Sequence, residues 1–231
     1  MKKIKKLDPP RVLYFIFLGI VFLEVVASFV SIFIAGNSEQ RDAAISNVFL
    51  GFLAAILFSL PWIIQSRFKV KIPNYLEIFV LLFLFSAIVL GNIHGLLVSV
   101  KGYDKFLHIN SGIFISLIGY EIILGYNQAK PKEIRLSAGL MSIFAFCFSL
   151  TLLLVWEFYE FFVDTIAYNI NNETTRNMQR YQWLYEGSFF PQPYGLIDTM
   201  LDLIIGSIGA AIISIFGWRI ILYKQNKKKG V

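Results

Sequence analysis

Six carboxylates and one imidazole are the groups in this sequence best placed to do chemistry, and their spacings gather them on few faces. Glu157, Glu160 and Asp164 close the apolar stretch LLLVWEFYEFFVD, while Asp104 and His108 lie four residues apart, as do Asp198 and Asp202. In an α-helix that spacing returns a side chain to the same face one turn on, so each pair can point into a common space. At about 100° per residue, Glu157 and Asp164 share one side of their helix and Glu160 lies about 60° away. Each charge inside a bilayer costs roughly 2.5–3.5 kcal/mol at mid-depth. Such a set has to be neutralised by protons, by hydrogen-bonding partners or by a cation. Oxygen-rich ligation with one imidazole suits a divalent ion such as Mg, Mn, Ca, Fe or Zn, and an open coordination position would permit metal-assisted chemistry. Intramembrane carboxylates also serve proton relays and cation pathways. The same groups bonded to Arg176, Arg180, Tyr159 and water would merely fix helix packing.

The elements that must position these residues follow from composition. The 231 residues are 57% hydrophobic and 16% charged, against about 25% charged in a soluble domain. The chain therefore reads as an all-α, polytopic membrane bundle forming a single integral membrane domain over residues 1–231. Its net charge of +6 is carried in short clusters between apolar runs, the pattern of topology signals, and no nucleic-acid partner is expected. The only cysteine, Cys147, lies inside an apolar run, which excludes a disulfide framework and a cysteine zinc motif and leaves it a packing residue.

Six apolar runs, at about 12–36, 44–65, 75–100, 105–124, 136–166 and 195–223, are each near or above the roughly 20 residues that a spanning helix needs. The first is too long for a signal-peptide core and is expected to be retained. Alternate connections hold sixteen lysines and arginines on one side and five on the other. Both termini are accordingly expected in the cytoplasm of a cell-membrane protein. The loop 167–194 is then external. Its aromatic stretch YQWLYEGSFFPQPYG is expected at the membrane interface, as an anchor or as a cover for a site. Asn172-Glu173-Thr174 matches a glycosylation sequon.

With that topology, Asp104, His108, Glu157, Glu160, Asp164, Asp198 and Asp202 all fall in the outer third of the membrane. His108, Glu157, Glu160, Asp198 and Asp202 are the expected ligands of a divalent metal, with Glu157 and Glu160 also the acid/base candidates and Asp104 and Asp164 just outside the ligands. Glu24 and Glu121 are candidates for an inner route. Glu121 lies thirteen residues beyond His108, about 20 Å along an unbroken helix. His94, between Gly91 and Gly95, is expected in a close helix-packing zone, with the acidic cluster as its alternative partner. Gly206 and Gly209 are likewise expected to let helices approach.

Tyr103-Asp104 with His108 and Gly112, Tyr120-Glu121-Ile122, Phe158-Tyr159-Glu160 with Glu157, and Asp198-Thr199 with Asp202 and Gly206 together resemble the YjdF-type bacterial inner-membrane proteins, over about Lys101 to Ala211. Asp104-Lys105-Phe106-Leu107-His108 also resembles, more distantly, the VanZ-like proteins associated with glycopeptide resistance. The sequence departs from the first family in Pro-Tyr-Gly-Leu-Ile before Asp198, and from the second in Asp202, where asparagine is usual. The resemblance implies an envelope-related membrane protein and brings no established reaction. Three functions fit these residues. The first is a metal-dependent enzyme or metal-binding site acting on a lipid-linked or cell-envelope substrate. The others are a cation- or proton-coupled transporter and a structural or resistance-associated protein without turnover. No nucleophile motif, phosphate-binding glycine loop or dinucleotide fingerprint is present.

Overall fold

A computed structural model describes residues 8–69, 71–129, 131, 135–171, 178–179 and 194–229. Among these the regular structure is all helical: α1 Pro9–Ile34, α2 Ser38–Phe68, α3 Asn74–Leu84, a π-helical continuation Phe85–Ile93, α4 Leu96–Ser99, α5 Tyr103–Gln128, α6 Ala138–Asn171 and α7 Tyr194–Lys229. Six helices among the described residues are long and apolar enough to cross a bilayer. Their outward faces carry large apolar side chains, Phe22, Phe29 and Phe33 on α1 and Phe158, Phe161 and Phe162 on α6 among them. Such faces suit hydrocarbon as the surrounding solvent, where a helix satisfies its own backbone polar groups. The chain packs as two compact units, Met1–Tyr103 and Asp104–Val231.

In the first unit, α1 opens on two prolines at its first positions, where the missing N–H groups have no helical partner to lose. Asn37 caps α2 by accepting from the backbone N–H of Gln40 at 2.8 Å, and Lys69 ends it in the left-handed conformation at φ 54°. Phe17, Val21, Ala54, Phe58, Leu81, Ile88 and Val89 form the core. Glu77 accepts from the Gln65 amide at 3.3 Å.

The third spanning run ends earlier than the expected 75–100. Its π-helical stretch closes at Ile93, where the His94 N–H reaches back five residues to the Val89 carbonyl at 2.9 Å. Gly95 then takes φ +70°, a conformation that glycine adopts without steric cost. Gly91, His94 and Gly95 consequently do not form one helix face. The His94 Nε2 lies 3.0 Å from Glu24 Oε1, joining this segment to α1 within the first unit. Irregular backbone at a helix end and π turns are common where a polar side chain must be aimed.

The second unit holds α5, the most buried of the six spans, against α6 and α7. Glycines bring the backbones together. A Cβ on Gly112 would strike the Gly206 carbonyl, and one on Gly209 would strike the Ile109 carbonyl. Interhelical hydrogen bonds reinforce the contact. Ser149 Oγ donates to the Gly112 carbonyl at 3.1 Å, Tyr120 Oη to the Ser214 carbonyl at 2.7 Å and Ser142 Oγ to the same carbonyl at 2.8 Å. The Tyr120 and Ser142 hydroxyls also touch each other, and with one proton each they make two of their three bonds at a time. Small residues and hydroxyl bonds are what hold helices together when lipid is as apolar as the side chains. Cys147, expected to pack inside, is exposed.

Candidate functional site

Asp104, His108 and Gly112 follow one another at four-residue steps on α5, and Asp198, Asp202 and Gly206 do the same on α7. The repeated spacing puts each trio along one face. Because Gly112 meets Gly206 without side chains between them, the two backbones are close one turn from His108 and Asp202. Short aspartate side chains can therefore reach across the gap. Of the second unit's described acids and histidine, His108, Glu157, Glu160, Asp198 and Asp202 are buried, Asp202 and Asp198 to 1% exposure.

At the centre is Lys105. Its ammonium donates to Asp198 Oδ1 at 2.7 Å, Asp202 Oδ2 at 2.8 Å and Asp104 Oδ2 at 3.0 Å. His108 stands alongside, its Nε2 3.5 Å from Asp104 Oδ1 and 3.6 Å from Asp202 Oδ1, and its Nδ1 3.9 Å from Glu157 Oε1. One ligand atom from each of Asp104, His108 and Asp202 lies within 4.8 Å of the others. On α6, Glu160 Oε1 accepts from Trp156 Nε1 at 2.7 Å. Three buried carboxylate oxygens, Glu157 Oε2, Glu160 Oε2 and Asp202 Oδ1, have no hydrogen-bond partner among the described residues. Asp202 Oδ1 is 2.8 Å from the ammonium but outside hydrogen-bonding geometry.

Lys105 is the residue that sequence reasoning missed as part of the site. In the sequence it reads as one of the five basic residues on the sparser side of the membrane, and as the neighbour of Asp104 it lies about 100° round the helix. Its four-carbon stem covers that angle. Asp104, expected just outside the ligands, touches both Lys105 and His108. Asp164 is engaged elsewhere: its carboxylate accepts the backbone N–H groups of Met178 and Gln179, each at 2.9 Å. Gln179 in turn donates to Thr199 Oγ1 at 2.8 Å, which ties this part of the chain to the first turns of α7. Tyr159, a partner of the acids in the packing alternative, is exposed and packs on Trp156 at 5.1 Å between ring centroids. Of the inner-route candidates, Glu24 is engaged by His94 within the first unit. Glu121 is half-buried on α5, with the helix unbroken between it and His108. Arg176, Arg180, the sequon Asn172-Glu173-Thr174 and residues 181–193 of the aromatic stretch lie outside the described residues.

Residues 14–222 match the family described as "Predicted membrane protein (DUF2238)". The chain belongs to that family. It is the family to which the YjdF-type resemblance points; the match does not reach the VanZ-like proteins. No curated protein and no solved structure matches the chain. Membership of the DUF2238 family thus agrees with an integral membrane protein, and what the site does has to be argued from its own geometry.

The donor set suits a hard or borderline divalent ion, which takes carboxylate oxygens and a neutral imidazole nitrogen. Five carboxylates, those of Asp104, Glu157, Glu160, Asp198 and Asp202, share the site with one ammonium and one imidazole. If all five were ionised they would outnumber the described cations, Lys105 and His108, an imbalance that proton uptake or a bound cation would remove.

Proposed function

We propose that this protein is a multi-pass cell-membrane protein, with both termini cytoplasmic, that binds a divalent cation among Asp104, His108 and Asp202 near the outer face. Asp198, Glu157 and Glu160 complete the site. The observation that carries this reading is the set of buried carboxylate oxygens around His108 and Lys105 that no described residue hydrogen-bonds. An oxygen of that kind is a lone pair already withdrawn from solvent, and its desolvation cost of about 1–3 kcal/mol is recovered when a cation accepts it.

A bound ion would supply Lewis acidity. Glu157 and Glu160, the second held by Trp156, would move protons beside it. At the end of a spanning bundle such a centre is within reach of groups carried by lipids. The substrate class that fits is therefore lipid-linked or another cell-envelope component. The Lys/Arg asymmetry supports the orientation, and a reporter fused after Val231 should be active on the cytoplasmic side only.

Elemental analysis of the detergent-purified full chain tests the cation site. About one divalent ion per chain is expected in wild type, and almost none in His108→Ala. Wild-type protein that holds no divalent ion after incubation with Mg, Mn, Ca, Fe and Zn contradicts it.

A further inference from the structure

We propose that Lys105 is a tethered cation that fills the acidic site when no divalent ion is bound, and that it thereby selects divalent over monovalent ions. The inference rests on the cation-site reading and adds the means by which that site chooses its occupant.

The geometry sets the two occupants in competition: Asp202 Oδ1, 3.6 Å from His108 Nε2, is also 2.8 Å from Lys105 Nζ. Lys105 Nζ is 3.0 Å from Asp104, 2.7 Å from Asp198 and 2.8 Å from Asp202. Asp104 and Asp202 are also two of the three residues whose ligand atoms cluster within 4.8 Å. An ammonium and a metal ion would have to share those carboxylates. Metal–oxygen distances run about 2.0–2.6 Å, shorter than the contacts the ammonium makes, so the donors must also close in as the metal enters. Lys105 stands in the first turns of α5 with its side chain 17% exposed. It has a way out along a flexible stem, whereas Asp198 and Asp202, at 2% and 1% side-chain exposure, do not.

Selectivity follows from charge. A sodium or potassium ion that displaced the lysine would replace one unit charge with another and would also lose the advantage of tethering, which keeps the ammonium at high effective concentration. A divalent ion brings two charges to a site where no described residue hydrogen-bonds Glu157 Oε2 or Glu160 Oε2, so it can win that exchange. Metal binding should then release the Lys105 amine to solvent.

The test uses the full chain in detergent, with Mn alone as the ion and binding read by electron paramagnetic resonance. Lys105→Met should bind Mn at least about tenfold tighter than wild type, since the intramolecular competitor is gone, and its Mn should become displaceable by potassium. Lys105→Gln, which keeps a polar end, is the second variant if methionine prevents folding. In wild type, acetylation of Lys105 read by mass spectrometry should rise several-fold on adding Mn. Mn binding in wild type with equal or weaker binding in both variants, or with Lys105 labelled equally with and without Mn, overturns the inference and leaves the cation site standing. Failure of wild type and both variants to bind Mn overturns the cation site itself, and this inference with it.

Discussion

The two units handle charge inside the membrane in opposite ways. In the first, Glu24 meets His94 one to one at 3.0 Å, with the side chains 27% and 46% exposed. In the second, five carboxylates surround one ammonium and one imidazole, and most of the groups are buried. A single partly exposed pair can be explained as helix packing alone. An acidic excess held out of solvent, with buried oxygens that no described residue hydrogen-bonds, is what the proposed cation site would use. The contrast directs the proposed function to α5–α7. The packing differs in parallel: aromatic and aliphatic side chains fill the first core, whereas glycine contacts and shared hydroxyl bonds draw α5, α6 and α7 together.

The sharpest way to break the comparison is to remove one partner from each charged group. Without added metal, Lys105→Met leaves Asp104, Asp198 and Asp202 facing one another, and a loss of about 3–5 kcal/mol is expected. Glu24→Gln keeps a hydrogen-bonding side chain opposite His94 and should cost no more than about 0.6 kcal/mol, typical of one interhelical bond. Unfolding midpoints in mixed detergent and dodecyl sulfate micelles measure both. Equal losses would erase the distinction between a balanced pair and a charged site.

A second comparison concerns the backbone approach. Gly112→Ala places a methyl group on the Gly206 carbonyl, and the helices must part. A cost of about 1–3 kcal/mol is expected, together with weaker metal binding as the two trios separate. Gly19→Ala on α1, where nothing lies within 4 Å, should be neutral or stabilising by up to about 1 kcal/mol. If both substitutions behave alike in the same unfolding assay, the glycine contact does not position the site.

The smallest effect separates hydroxyl networks from single bonds. Tyr120→Phe removes the hydroxyl shared with Ser142 and the Ser214 carbonyl and should cost about 1–2 kcal/mol. Tyr14→Phe removes one 3.1 Å contact with Ser59, for about 0.6 kcal/mol. The same micelle titration sharpens the comparison if the first loss exceeds the second.

Much of this was legible in the sequence because the bilayer imposes long apolar runs and α-helices impose a spacing of four. Asp104 with His108, and Asp198 with Asp202, could be paired from their positions because nothing interrupts α5 or α7 between them. What could not be read was anything that depends on reach or register between elements. Lys105 points off the Asp104–His108 face, and only its long stem brings the ammonium to α7. The break after Ile93 depends on a π turn and on Gly95, neither of which shows in a hydropathy run that continues to Val100. Asp164 shares a side with Glu157 by angle alone, yet two backbone N–H groups from Met178 and Gln179 hold it.

The central claim is that His108 and Asp202 serve one cation, and a double-mutant cycle on Mn affinity tests it most directly. If one ion bridges them, His108→Ala and Asp202→Asn should each weaken binding by at least about 100-fold. The double variant should then be scarcely weaker than either single one, because the ion has already been lost. Additive losses, or Mn affinity unchanged by both substitutions, would contradict a shared site on α5 and α7.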